Sequence, residues 1–484
     1  MLALWLVATA GWRPLMLPDE GRYAGVAREM LLSADPWVPT LDGLPFFHKP
    51  PLMYWIDMAA MRLAGIHPFA ARTASLLGAL LMGAALWLAL RRDAGPTAAA
   101  RALAVLATTP FFFIAAQFAN HDMLVGGIVT AAILAFVRSL EDDSQALRWR
   151  IAGWVACAFG VLAKGLIGIV LPLLVVLPWL AAQGRWREAL RLFHPAGLLA
   201  FALVGLPWFV AMQWRYPGFF DYFIVEQHFR RYAQADFNNA QPFWFFFALL
   251  PALTLPWSPW LVGLWRHRRR GGTADEAASR LSSRPALWLW WVIAVVGFFS
   301  LPHSKLAGYV LPALAPWCAL IAMAAATLRR AWWATLGIAA LVCVGAVGVL
   351  GRHEKVVSHR GAAAALAKAI APGDRVVMVD AYFYDIPFEA GLRQPVVVAS
   401  RWDDPELPRH DNWRKELFDA GRFAPARARE LLWPLDRLDQ LACGTPVLWL
   451  LTRGRGGMPP LAAATPVFED THVTLWRLDG RTCR

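Results

Sequence analysis

The sequence predicts a mainly α polytopic membrane protein of about eleven transmembrane helices, with outward interfacial helices and a small C-terminal α/β domain. Three observations predict it. Of the 484 residues, 58% are hydrophobic and 17% are charged, with 26 Trp and 28 Phe and a mean hydropathy of +0.42. A typical soluble domain carries about 25% charged residues. Apolar runs recur through the first 350 residues, and a spanning helix needs about 20 of them. After Gly351 the composition turns polar and short strand-like runs appear. A disordered chain, a collagen-like chain and a single soluble domain are excluded.

The apolar runs lie at about 1–16, 68–90, 102–118, 123–137, 151–163, 166–183, 194–213, 243–265, 286–301, 306–327 and 331–350. Several contain Pro or Gly, which membrane helices tolerate better than soluble ones. The first run has no basic flank and no clear cleavage site. It reads as a retained first helix, somewhat short, rather than a signal peptide.

The loops alternate in character. Residues 91–101, 138–150, 184–193, 266–284 and 329–330 hold 17 Arg and no Lys over 55 positions. Residues 17–67, 118–122, 164, 214–242 and 302–305 hold nine Lys and Arg over about 90 positions. The positive-inside rule makes the first set cytoplasmic and the second outward-facing. An odd span count then puts the tail outside too. The expected organisation is a transmembrane domain, 1–351, whose first outward loop is 17–67, followed by an outward α/β domain, 352–484. The net charge of +13 follows the same loop pattern, so it reads as a topogenic signal rather than a nucleic-acid footprint.

In the tail, RVVMVD (375–380), QPVVVAS (394–400), TPVLWLLT (445–452) and VTLWRL (473–478) read as strands, and GAAAALAKAI (361–370) reads as a helix. Cys157, Cys318 and Cys343 fall in apolar runs and read as core residues. Cys443 and Cys483 fall in the tail, where an oxidising compartment would permit a disulfide.

Ionisable residues concentrate in the outward loops. Charges beside a bilayer are costly and usually mark function or pairing. In LPDEGRYAGVAREM (17–30), Asp19 and Glu20 follow the first span, and an amphipathic interfacial helix is expected after them. Asp19 equally suits a helix cap. In FFHKPPLMYW (46–55), Lys49 suits a phosphate, or snorkels to head groups. Asn120, His121 and Asp122 form a short polar link that suits a turn or cap as well as a site. Lys164 lies between two spans, and Lys305 and Tyr309 at i and i+4 are expected to share one helix face. Glu226, His228, Arg230 and Arg231 complete the set. Cations that hold a phosphate, beside a carboxylate that takes a proton from a hydroxyl, suit a negatively charged, lipid-linked substrate.

The segments DEGRYAGVAREM, FFHKPPLMYW, LAKG and HSKLAGYVLPALAP resemble the bacterial aminoarabinose transferases of lipid A. With the protein O-mannosyltransferases, these are integral-membrane glycosyltransferases of the C type. The resemblance covers roughly residues 15–320. It implies a multi-pass protein of the bacterial inner membrane, with its active site and C-terminal domain in the periplasm. The donor would be a sugar on undecaprenyl phosphate, and the acceptor lipid A, another envelope glycan or a protein. Transfer would invert the sugar centre. By position, Asp19 would be the general base and Asp122 the second acid. Lys49, Lys164 and Lys305 would surround the donor phosphate, with Arg22, Tyr23 and Tyr309 positioning the donor. Glu20, Arg230 and Arg231 join the substrate-binding set.

One position departs from the family pattern. His48 stands where the family usually has Glu, a residue that can help hold a divalent metal. No cofactor is required by this reading, but His48 with His228 could ligate zinc or magnesium. A transporter or flippase of polyprenyl-linked sugars would also need cations and many spans. Transporters, however, place ionisable groups near the midplane and show repeats, and neither is seen here. A non-catalytic relative is the third reading.

Overall fold

The computed structural model describes residues 1–33, 35–141, 144–230, 239–262, 284–324, 329–409, 411–454 and 461–480. Each apolar run becomes helix, but not every helix spans. Among the described residues, five helices are long and apolar enough to cross a bilayer: Ala70–Asp93, His121–Arg138, Ala146–Lys164, Ala307–Ala324 and Arg330–Val357. Two bent pairs raise that to seven: Gly95–Thr108 with Pro110–Ala116 at 69°, and Pro195–Gly205 with Pro207–Arg215 at 41°. Proline follows each break and lacks an N–H for the helix ladder; before Pro110, Thr109 is turned to an extended conformation. Ile167–Ala182 and Pro285–Ser300 are shorter apolar helices. The chain is a polytopic membrane protein.

The first run departs from expectation. It yields only α1, Leu2–Val7. The chain then turns, because the polar Arg13 must be drawn into a buried ion pair with Glu20. The helices that frame the site are α2 (Asp19–Ser33), α3 (Leu52–Ala64), α4 (Thr73–Asp93), α5 (Gly95–Thr108), α6 (Pro110–Ala116), α7 (His121–Arg138) and α8 (Ala146–Lys164). Their backbones pack closely where side chains are absent. A Cβ on Gly127 of α7 would stand 2.0 Å from the Gly78 carbonyl oxygen of α4. Small residues at membrane helix contacts allow this approach.

Helix α2 is covered by protein on two sides. Glu20 points to Arg72 and the Ala119 amide in the bundle. Gly21 and Arg28 face the C-terminal domain at Tyr384 and Leu392. The small residues of DEGRYAGVAREM are therefore packing residues rather than one face of an amphipathic pattern.

The last span runs to Val357, so the boundary drawn at Gly351 falls inside a helix. The domain beyond it is built on a six-stranded sheet. Its strands are β3 (Arg375–Val379), β4 (Val397–Ser400), β5 (Leu432–Pro434), β6 (Val447–Arg453), β7 (Thr465–Glu469) and β8 (Val473–Asp479), after a β1–β2 hairpin at 40–45. The order is β5-β4-β3-β6-β8-β7. The first four strands are parallel, and β8 and β7 run antiparallel. Strand β4 is buried throughout, as a parallel strand covered on both faces should be. The four expected strands and the expected helix at 361–370 are all present. Cys443 is disulfide-bonded, while Cys483 lies outside the described residues. Cys157, Cys318 and Cys343 are free and buried.

Candidate active site

Asp19 is the first residue of α2. Its carboxylate does not cap the helix; Oδ1 accepts from Arg22 Nη2 at 2.5 Å. The side chain is 36% exposed, which leaves it reachable by a substrate. Arg22 also pairs with Glu416 of the C-terminal domain, and its guanidinium lies 4.8 Å from the Tyr23 ring centre. Burial alone would weaken the Arg22 cation. Glu416, Tyr23, Tyr384 and Asp19 outweigh this and raise it well above its ordinary range.

Glu20 is spent on the scaffold, a correction to its place in the substrate-binding set. It is fully buried. Its Oε1 accepts from Arg72 Nε at 2.8 Å and the Ala119 amide at 2.7 Å. Its Oε2 accepts from the Met16 amide at 2.8 Å, Arg72 Nη2 at 3.0 Å and Arg13 Nη1. Burial would push its pKa up, but Arg72 and Arg13 override that and hold it at about 2. A carboxylate so enclosed has no oxygen to offer a substrate.

The polar link at 120–122 splits its duties. Asn120 caps α7 by accepting from the Asp122 amide at 3.1 Å. Asp122 pairs with Lys164, the last residue of α8. Lys164 Nζ lies 4.7 Å from the Tyr309 ring centre. Gly308 makes room for this group, because a Cβ there would stand 2.1 Å from Asp122 Oδ2. Asp122, Lys164 and Tyr309 thus meet.

Lys305 is placed elsewhere, a second correction. Residues 302–306 precede the 3-10 helix Ala307–Ala313, so Lys305 and Tyr309 share no helix face. The buried Lys305 ammonium donates to the carbonyls of Gln241 at 2.8 Å and Pro302 at 2.5 Å. With the backbone bonds between 239–241 and 303–305, it staples two segments together.

His121 is the residue that sequence reasoning undervalued. It is fully buried, edge-on to Tyr23 at 4.7 Å and Tyr54 at 5.2 Å. Neither ring nitrogen has a hydrogen-bond partner among the described residues. The charges of Lys49, Lys164 and Arg22 all act on this ring. Those three cations come from separate sequence motifs and converge here. Lys49 Nζ donates to the His48 carbonyl at 3.1 Å. Tyr384 and Glu416 were also missed, since nothing in the sequence relates position 22 to position 416.

His48 stacks on Phe46 at 4.5 Å and lies 6.0 Å from Tyr222. The side chains of His228 and Arg230, and all of Arg231, lie outside the described residues. Among the described residues no three His, Cys, Asp or Glu side chains converge as a metal would need. With the His228 side chain outside the described residues, no metal role follows for His48.

Comparison with known proteins places this geometry. Residues 13–223 match the family described as dolichyl-phosphate-mannose-protein mannosyltransferase. Two relatives are named undecaprenyl phosphate-alpha-4-amino-4-deoxy-L-arabinose arabinosyl transferases. That of Edwardsiella ictaluri is 32% identical over 66% of this chain and 57% of its own length. That of Sodalis glossinidius is 35% identical over 68% and 58%. The match thus spans less than three fifths of these curated relatives. The crystal structure of ArnT from Cupriavidus metallidurans, bound to undecaprenyl phosphate, superposes with a TM-score of 0.83 at 23% identity. It covers 98% of this chain and 96% of the other. Over residues 13–223 the sequence therefore matches the dolichyl-phosphate-mannose-protein mannosyltransferase family, and the fold as a whole is similar to that of ArnT from Cupriavidus metallidurans.

Proposed function

We propose that the chain is a glycosyltransferase of the inner membrane that moves a sugar from an undecaprenyl-phosphate-linked donor to an acceptor at the periplasmic face. Lipid A or another envelope glycan is the acceptor class, and 4-amino-4-deoxy-L-arabinose the sugar that the relatives' names suggest. The observation that carries the reading is a reachable carboxylate, Asp19, paired with Arg22, whose charge acts with those of Lys49 and Lys164, from separate motifs, on the buried His121 ring. Cations placed where charge develops stabilise a leaving phosphate.

In this mechanism Asp19 takes the proton of the acceptor hydroxyl. The oxygen attacks the sugar's anomeric carbon, and the bond from that carbon to the phosphate oxygen breaks. Undecaprenyl phosphate leaves with the electron pair, and the sugar centre inverts. Lys49 and Lys164 hold the phosphate. Asp122 and Tyr309 fix Lys164, and Tyr23 and His121 line the same region.

The test is the full-length protein in vesicles with undecaprenyl-phosphate-linked aminoarabinose and lipid A, read by mass spectrometry. The expected product is lipid A heavier by one sugar, absent with Asp19→Asn although that variant folds and inserts. Donor crossing the vesicle without a covalent product would replace the reading by transport. Full turnover by Asp19→Asn would remove the base.

A further inference from the structure

One guanidinium at the site is shared by two carboxylates from distant parts of the chain. Arg22 donates from Nη2 to Asp19 Oδ1 at 2.5 Å and from Nη1 to Glu416 Oε1, 394 positions away. Glu416 lies on the helix Trp413–Arg422, and its side chain is 7% exposed. Its second oxygen accepts from the Tyr384 hydroxyl at 2.6 Å. Burial, then the charge of Glu416, raises the Tyr384 phenol well above its usual range, so it remains a donor. Gly21 allows this approach: a Cβ there would stand 3.1 Å from Tyr384 Cβ and 3.3 Å from the Asp385 amide nitrogen. Asp385 is in turn fixed by the His359 amide at 2.8 Å and the His359 ring at 2.7 Å. The domain side of the contact is held firmly.

The guanidinium is a rigid planar fork, so anchoring one arm fixes the direction of the others. Arg22 Nη1 is anchored by Glu416, Nη2 reaches Asp19, and Nε has no partner among the described residues. Asp19 Oδ2 accepts no hydrogen bond among the described residues, on a side chain that is 36% exposed. A base needs such an oxygen to receive a proton.

We infer that Glu416, oriented by Tyr384, is a positioning residue for Asp19: it anchors one arm of Arg22 on the C-terminal domain and so fixes where the guanidinium meets the base. This rests on the transferase reading above, in which Asp19 takes the acceptor's proton. It makes the C-terminal domain part of the catalytic geometry. Glu416 acts through Arg22 and touches no substrate.

The test uses the same vesicle assay. Glu416→Gln is expected to lower kcat about 10-fold, with the donor KM held within about twofold and cooperative thermal unfolding in detergent retained. An ammonium lacks the rigid fork that links the two carboxylates. In an Arg22→Lys background, Glu416→Gln is therefore expected to cost under about twofold further. Glu416→Asp should recover part of the loss. Should Glu416→Gln fail to fold, Tyr384→Phe replaces it, with a smaller kcat loss that again needs Arg22. Parental turnover in Glu416→Gln, an equal loss in both backgrounds, or a change in KM alone would each overturn the inference. Asp19→Asn run alongside separates the two failures. If it is inactive while Glu416→Gln is fully active, only the positioning role is lost. If Asp19→Asn is fully active, the transferase base is lost and the positioning role with it.

Discussion

Replacing Glu20 by Gln removes the negative charge that two buried guanidinium groups share. Arg72 is fully buried and Arg13 is 3% exposed, so neither can turn to water. The Glu20 pKa is held at about 2 against an ordinary 4.5. A depression of that size corresponds to roughly 3 kcal/mol, at ~1.4 kcal/mol per pKa unit. Removing one partner of a buried ion pair costs ~3–5 kcal/mol in other proteins. The two routes agree, and both predict a fall in Tm on the order of 3–5 °C. Because the folded pKa is the lower one, this stability is fully present above pH 4.5 and is lost as pH falls through about 2. The unfolding temperatures of parent and Glu20→Gln should therefore draw together across that window. The assay is thermal unfolding of the purified protein in detergent from neutral pH downward, with donor KM measured at low temperature. An unchanged Tm with a raised donor KM would refute the reasoning and return Glu20 to the substrate.

Two further substitutions separate site from scaffold. Gly308→Ala puts a Cβ 2.1 Å from Asp122 Oδ2 and must displace the pair with Lys164; turnover is expected to fall about 10-fold or more in the vesicle assay, with little change in unfolding. Lys305→Met strips the donor from two carbonyls. It should destabilise by ~1–3 kcal/mol per orphaned group while the donor KM stays put, as read by unfolding and initial rates.

Local pattern made much of this fold legible. Apolar runs located the helices, and buried β-branched runs located β3, β4, β6 and β8. Strand β5 escaped because it has three residues, and β7 because it is largely exposed and contains Pro466. Composition also overstated the first span, since a run of apolar letters does not show that Arg13 is drawn back to Glu20. In the site, Asp19, Lys49, Asp122, Lys164 and Tyr309 were legible as ionisable or phenolic groups beside apolar helices. Lys305 and Glu20 looked the same in sequence, but their partners are backbone carbonyls and amides, or guanidinium groups, distant along the chain. Glu416 was illegible for the opposite reason. It sits in a charged helix where one more Glu attracts no notice, and only the docking of that helix on α2 gives it a partner.

The covering of α2 on both sides has a consequence for modularity. A helix pressed between the bundle and the C-terminal domain belongs to both, though its sequence lies wholly in the first. Exchanging the C-terminal domain with a relative's would break a joint at Gly21 and Arg28 and leave Arg22 facing a foreign surface. A workable chimera would carry α2 along with the domain, and the recombination point that respects the structure is not the one the chain's linear order suggests.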